Sequence, residues 1–292
     1  MCTVSFLARK NGYALAMNRD EKLSRAAGLP PSKKIINGRT VVSPSEPGGG
    51  TWIALNEFGG TFALINWYSI RAQVKSKPVS RGVVVNTVGT AVTPDFAAAA
   101  LAQSPLKQIN PFRLIGFFPA THEIIEWRWD LKKLVLKNHP WQTQQWISSG
   151  FDEPVAQRIR SETFRRALKQ KSAGSLNWLR RLHRSHAPEA GPFSICMHRS
   201  DAATVSYTEI AMVMRTATMR YFDGATCDCV ERTVQEISRA SIELPNEVGH
   251  PYGAMERRLP QKANIFMPDQ QVRCAIVGAL DAASPTDCFR KY

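Results

Sequence analysis

The chain has 292 residues, 43% of them hydrophobic and 21% charged, a balance that buries one large core or two modest ones. No run approaches the roughly 20 apolar residues needed to cross a bilayer, and no basic segment followed by an apolar one opens the chain. No transmembrane segment and no secretory leader are therefore expected, and the expected location is cytoplasmic. The formal charge of +14 could draw anionic partners, but no nucleic-acid-binding motif accompanies it. Much of it falls on Arg158, Arg160, Arg165, Arg166, Lys169, Lys171, Arg180, Arg181 and Arg184, which reads as a solvated pair of basic helices without a nucleic-acid partner.

In chain order, the apolar runs at 2–9 and 13–20 flank Asn11-Gly12, a strong hairpin signal. Residues 22–50, with Pro30-Pro31, Pro44, Pro47 and Gly48-Gly49-Gly50, read as a loop. A second hairpin follows, 51–56 and 61–67 around Glu57-Phe58-Gly59-Gly60, with strands so continuously apolar that both faces must be covered. Helices are expected at 80–88 and 93–103, the second with Thr93 as cap and Pro94 in its first turn. Strands are expected at 112–119, 122–129 and 132–137, helices at 153–171 and 175–185, and strands at 193–197, 203–214 and 217–222. Runs of strands separated from runs of helices define an α+β architecture with layered sheets. The division is into residues 1–230 and an irregular extension, 231–292, whose one apolar segment is 274–280.

The six cysteines, at 2, 196, 227, 229, 274 and 288, are too scattered for a disulfide framework. Cys227-Asp228-Cys229 has no second pair at zinc-site spacing, His183 and His186 lie on a basic helix, and Cys196-Met197-His198 precedes a strand whose alternation separates neighbours. No metal and no cofactor are expected from these patterns. Cys2 is different. Removal of Met1, favoured by a small second residue, would put a thiol and a free α-amine on one residue at the start of a strand. An amine with a pKa near 8 can take up the thiol proton at neutral pH. The hairpin brings Asp20 to the same end as Cys2, Arg19 would add charge favouring thiolate, and Asn66 ends another apolar strand with an amide able to serve an oxyanion.

Met1-Cys2-Thr3, Ala16-Met17-Asn18-Arg19-Asp20-Glu21, Gly49-Gly50-Thr51-Trp52, Asn56-Glu57-Phe58-Gly59, Leu64-Ile65-Asn66-Trp67 and Ser80-Arg81-Gly82 together resemble the NRDE family, also known as the transport and Golgi organisation 2 family. That family in turn resembles N-terminal nucleophile hydrolases of the bile-salt hydrolase and penicillin V acylase type. The resemblance implies a four-layer αββα sandwich. It also implies Cys2 as nucleophile, Asp20 beside its amine and Asn66 in the oxyanion region; Arg19, from the reading of the residues, completes the expected catalytic set. Asn18, Trp67, Arg199 and Ser149 would be substrate contacts. The chain departs from those hydrolases in carrying Met17 where they place an arginine three residues before the aspartate. It also has Ser148-Ser149-Gly150 where they carry a second asparagine. Two functions follow from the resemblance. One is hydrolysis or acyl transfer on linear amide C–N bonds of a small molecule. The other is non-catalytic binding or trafficking of an apolar anionic ligand, with haem or lipid handling or organisation of the secretory pathway implied.

Overall fold

The computed structural model describes residues 2–228 and 230–240, all within the first of two units into which the chain divides, Met1–Leu244 and Pro245–Tyr292. The expectations for Cys229 and for the 274–280 segment lie outside the described residues.

Two antiparallel sheets form the centre. The first has six strands: β1 (Cys2–Arg9), β2 (Gly12–Lys22), β10 (Gln144–Ser148), β11 (Ala202–Val213), β12 (Thr216–Asp223) and β13 (Val230–Ser238), in the order β10-β1-β2-β11-β12-β13. The second has seven in simple sequence order: β3 (Leu29–Ile36), β4 (Arg39–Ser45), β5 (Ile53–Asn56), β6 (Thr61–Asn66), β7 (Phe112–Phe118), β8 (Glu123–Trp129) and β9 (Leu134–His139). Four α-helices, α1 (Gly82–Val88), α2 (Pro94–Ala102), α3 (Glu153–Ala167) and α4 (Leu176–His183), and a short 3-10 turn at Leu106–Gln108 complete the described elements.

The layers follow from strand alternation. Along β1 and β2, Val4, Phe6, Leu15 and Met17 pack against Ile53, Leu55, Ala63, Ile65 and Phe117 of the other sheet. The intervening Leu7, Ala14 and Ala16 face outward onto Trp178, Leu179 and Leu182 of α4 and Phe164 of α3. On the far side, Ala54, Phe62, Leu64 and Leu114 carry α1 and α2 through Val84, Val85, Val88, Ala97 and Leu101. Each sheet is therefore covered on both faces, which accounts for the unbroken apolar runs. The order helices–sheet–sheet–helices is the expected αββα sandwich.

Four local expectations are corrected. Residues 29–45 are a hairpin, not a loop: Asn37 and Gly38 both have positive φ (51° and 74°), the conformation that Asn-Gly supplies at a two-residue turn. Pro30 and Pro31 are accommodated because β3 is an edge strand. Gln144–Ser148 adds a short strand whose support, pairing with β1, is non-local. Residues 193–197 form no strand, since the Ser194 hydroxyl donates to the Gly191 and Cys196 carbonyls and turns the chain. Finally, β13 carries the first sheet past residue 230, paired with β12.

The Asn56-Glu57-Phe58-Gly59 motif proves to be a brace. The Asn56 amide donates to the Gly89 and Ala91 carbonyls and accepts from the Phe58 and Gly60 N–H groups, so all its capacity ties the β5–β6 turn to the end of α1.

Candidate functional site

The amino-terminal motifs converge on one cleft of about 240 Å³. Its wall forms where Gly50-Thr51 meets Gly82: the Thr51 N–H donates to the Gly82 carbonyl at 3.3 Å. A Cβ on Gly82 would stand 2.6 Å from the Thr51 nitrogen, so only glycine permits this approach. Thr51-Trp52 and Ser80-Arg81-Gly82, distant in sequence, thus become adjacent lining, joined by Cys2, Arg19, Asp20, Glu21, Glu46 and Asn66.

Cys2 begins β1, with Arg19 of β2 opposite it on one side and Ser148 of β10 on the other. Its side chain belongs to the inter-sheet layer and is 7% exposed. Burial pushes the thiol above its ordinary value and the Asp20 carboxylate adds to this. The amino-terminal charge, Arg19 and the backbone N–H of Asp20, which donates to the sulfur, offset only part of that. Arg19 favours the thiolate, as the sequence suggested, but less than burial opposes it, and the reason is geometric. Its guanidinium lies 4.5 Å over the Trp52 ring and pairs with Glu46 at 3.1 Å and Glu21 at 3.5 Å, so most of its charge is already answered. A protonated thiol needs a base before it can attack.

Asp20 is buried and lines the cleft, but its carboxylate is held from the helix side. Oδ2 meets the Arg160 guanidinium at 3.1 Å and Oδ1 accepts from the Thr204 hydroxyl at 2.7 Å. Arg160 of α3, expected among solvated arginines, has no exposed side-chain surface. It also donates to Thr3 Oγ1 at 2.7 Å and to the Phe193 and Pro192 carbonyls. It thereby ties the start of β1 to the end of β2, and its spacing from buried Ala156, Thr163 and Phe164 was the sign that it lies on the inner stripe of the helix.

Asn66 reaches the cleft, with its amide donating to the Tyr68 hydroxyl at 2.8 Å. Tyr68 in turn lies against Gly150, where a Cβ would sit 3.1 Å from the ring, so the Ser148-Ser149-Gly150 segment closes on the Asn66–Tyr68 pair.

The other expected contacts do not line the cleft. Asn18 is fully buried on the helix side. It donates to the His183 and Ile195 carbonyls and accepts from Thr226 and from His183 Nδ1, while His183 Nε2 meets the Ser5 hydroxyl. That arrangement assigns His183 a neutral ring with its proton on Nδ1, and burial, aided by Arg160, lowers its pKa to about 3. Trp67 lies beneath Arg128. Ser149 is buried, its hydroxyl accepting from the Phe151 N–H. Arg199 stacks on Phe151 and pairs with Asp201.

Two residues were missed. Arg81 faces the cleft with its Nε bonded to the Pro111 carbonyl and enters no ion pair among the described residues. The Ser80-Arg81-Gly82 motif carried part of the resemblance but gave Arg81 no role. Ser148 is the ladder partner of Cys2, and its buried hydroxyl has no hydrogen-bond partner among the described residues. Directly opposed residues of antiparallel strands share a face, so this hydroxyl stands beside the thiol. The resemblance had marked the Ser148-Ser149-Gly150 segment, and the strand register shows which of its hydroxyls is opposite Cys2.

Fold and site together define an αββα protein whose first strand presents a cysteine at the base of a polar cleft. Residues 1–128 match the model of the Transport and Golgi organisation 2 family, the family that the amino-terminal motifs resemble. Among solved structures, the chain is similar to penicillin V acylase from Agrobacterium tumefaciens, at 13% identity over 76% of this chain and 83% of that one, with a TM-score of 0.44. It is likewise similar to a mutant of the conjugated bile acid hydrolase from Clostridium perfringens, at 12% identity over 82% and 92% of the two chains, with a TM-score of 0.47. No curated protein matches the chain.

Proposed function

We propose that the protein is a cysteine hydrolase or acyltransferase of the N-terminal nucleophile type, acting on a linear amide with an anionic end. The observation that carries this is the placement of Cys2. A thiol at the start of an interior strand opens into a cleft whose walls supply the Asn66 amide and the Arg81 guanidinium.

Chemistry begins once cleavage before Cys2 frees its α-amine. The amine takes the thiol proton, and the sulfur attacks the amide carbonyl carbon, forming the C–S bond as the carbonyl π electrons move to oxygen. The Asn66 amide, which reaches the cleft, is a donor available to that oxygen, a role in which one lost donor costs about a hundredfold or more in rate. The tetrahedral species collapses with cleavage of the C–N bond, and the leaving amine departs with the proton held by the Cys2 ammonium. Water, or an acceptor amine in a transferase, then attacks the thioester and restores the thiol. Asp20 is a positioning residue, since its carboxylate is engaged by Arg160 and Thr204 while its N–H meets the sulfur. Arg81 provides the cation for an anionic substrate group.

The cleft is below the roughly 300–1,000 Å³ usual for drug-sized ligands, which suits a small amide or the reacting end of a larger one. Arg19, Glu21, Glu46 and Arg81 along its walls do not favour a large apolar ring such as haem. The test is amine release from a panel of N-acyl amides by protein whose amino terminus is Cys2. Turnover that disappears in Cys2→Ala is expected. A folded, correctly processed protein that releases no amine from any of them, yet binds an apolar anion in the cleft, would favour the binding role instead.

A further inference from the structure

Away from the cleft, four side chains from three separate segments bring their ligand atoms together. These are His186, just beyond α4; Cys196 and His198, in the irregular segment before β11; and Cys227, in the turn between β12 and β13. One atom from each, sulfur or ring nitrogen, lies within 4.8 Å of all the others. His198 Nε2 is the centre of the contacts, 3.1 Å from His186 Nε2 and 3.5 Å from each of the sulfurs of Cys196 and Cys227.

We propose that His186, Cys196, His198 and Cys227 bind one zinc(II) ion in a tetrahedral, structural site. A ring nitrogen makes one hydrogen bond along its lone pair or its N–H, so three polar atoms converging on His198 Nε2 exceed what hydrogen bonding uses. They do match the edges of a coordination shell. With bonds of about 2.3 Å to sulfur and about 2.05 Å to nitrogen, a regular tetrahedron separates nitrogen from nitrogen by about 3.3 Å and sulfur from nitrogen by about 3.6 Å. Two thiolates offset the charge of the ion, and the soft, borderline donor set is the one zinc selects over magnesium or calcium. All four positions are filled by protein, leaving no open place for substrate, which is the mark of a structural site.

The surroundings are built for it. The Cys227 N–H donates to the Cys196 sulfur, the Cys196 N–H to the Ser185 carbonyl, and the His198 N–H to the Gly191 carbonyl. These bonds fix the ligand-bearing backbone before any ion binds. Cys196 and His198, two apart, share a side of their segment, and Met197 between them turns to the protein. Its N–H donates to Thr204 Oγ1, whose hydroxyl donates to Asp20 Oδ1. Thr226, next to Cys227, donates to Asn18. An ion here would lock the far end of the network that holds Asp20 beneath Cys2.

The full-length protein, purified reduced and without chelator, is expected to carry about one zinc per chain by mass-spectrometric metal analysis. Exchange with cobalt(II) should give the intense visible bands of a tetrahedral complex and a thiolate charge-transfer band. Cys196→Ser and Cys227→Ser should each remove the charge-transfer intensity or the retained metal, while Cys2→Ser keeps both. Because a ligand variant can fail to fold, the wild type supplies a second measurement: chelation should lower its melting temperature and added zinc should restore it. Folded wild-type protein that takes up no stoichiometric metal and gives no tetrahedral cobalt spectrum would overturn the proposal. So would a spectrum unchanged by both cysteine substitutions, or a Cys196–Cys227 disulfide in protein isolated under reducing conditions.

Discussion

Replacing Asp20 by Asn tests the buried frame beneath the cleft. By sequence the position reads as the polar exit of a strand, where a substitution costs about 0.5 kcal/mol or less. The structure implies otherwise, because Asp20 and Arg160 pair at 3.1 Å with neither side chain exposed to solvent. Removing one charge leaves the other buried without its counterion, a loss of about 3–5 kcal/mol. Asn retains an oxygen able to accept from Thr204 and Arg160, which places the expectation at the lower end of that range. At about 2–4 °C per kcal/mol for a domain of this size, the melting temperature should fall by roughly 6–12 °C. Differential scanning calorimetry at neutral pH measures it. The double variant Asp20→Asn with Arg160→Met should recover much of the loss, since it removes the stranded cation. A fall of less than about 2 °C in the single variant would refute the argument that this pair is a buried electrostatic tie.

Two further outcomes follow from the same geometry. The pKa of His183 is about 3 in the folded chain and about 6.5 when unfolded, so below pH 6.5 only the unfolded chain takes up this proton. Its contribution to stability is complete above pH 6.5 and is lost as pH falls towards 3, by at most about 1.4 kcal/mol per pH unit. Denaturant titrations that give equal stability at pH 7 and pH 5 would contradict the neutral, Asn18-bonded ring. For Arg81→Leu, KM for an anionic amide substrate should rise at least about tenfold, the equivalent of about 1.4 kcal/mol, with little change for an uncharged analogue. An equal effect on both would remove Arg81 as the anion contact.

The sheets were legible because their signals are local: Asn11-Gly12 between alternating runs, and unbroken apolar strands demanding cover on both faces. Asn37-Gly38 carried the same turn signal but was masked by the prolines around it, which an edge strand tolerates. β10 and β13 escaped because their support comes from pairing with β1 and β12 and leaves little trace in periodicity. At the site, the motifs located Cys2, Asp20 and Asn66 but not the direction in which each side chain is held. Asn18 and Asp20 both turn towards the helices, where Arg160 and His183 wait, and the composition of a basic stretch does not separate a buried arginine from the six other arginines and two lysines around it. The four-ligand cluster was illegible for a similar reason. Its members stand ten, two and twenty-nine residues apart, and only the turn at Ser194 and the β12–β13 connection bring them together.

The central claim is that Cys2 is an amino-terminal nucleophile. The measurement that addresses it most directly is intact mass of the untagged protein, quenched in acid after brief exposure to N-acyl amides. The account predicts a chain beginning at Cys2 that gains the mass of the acyl group, with fragmentation placing the acyl group on that residue and no gain in Cys2→Ala. A chain correctly processed to Cys2 that gains no acyl mass from any of the amides, or gains it on another residue, would contradict it.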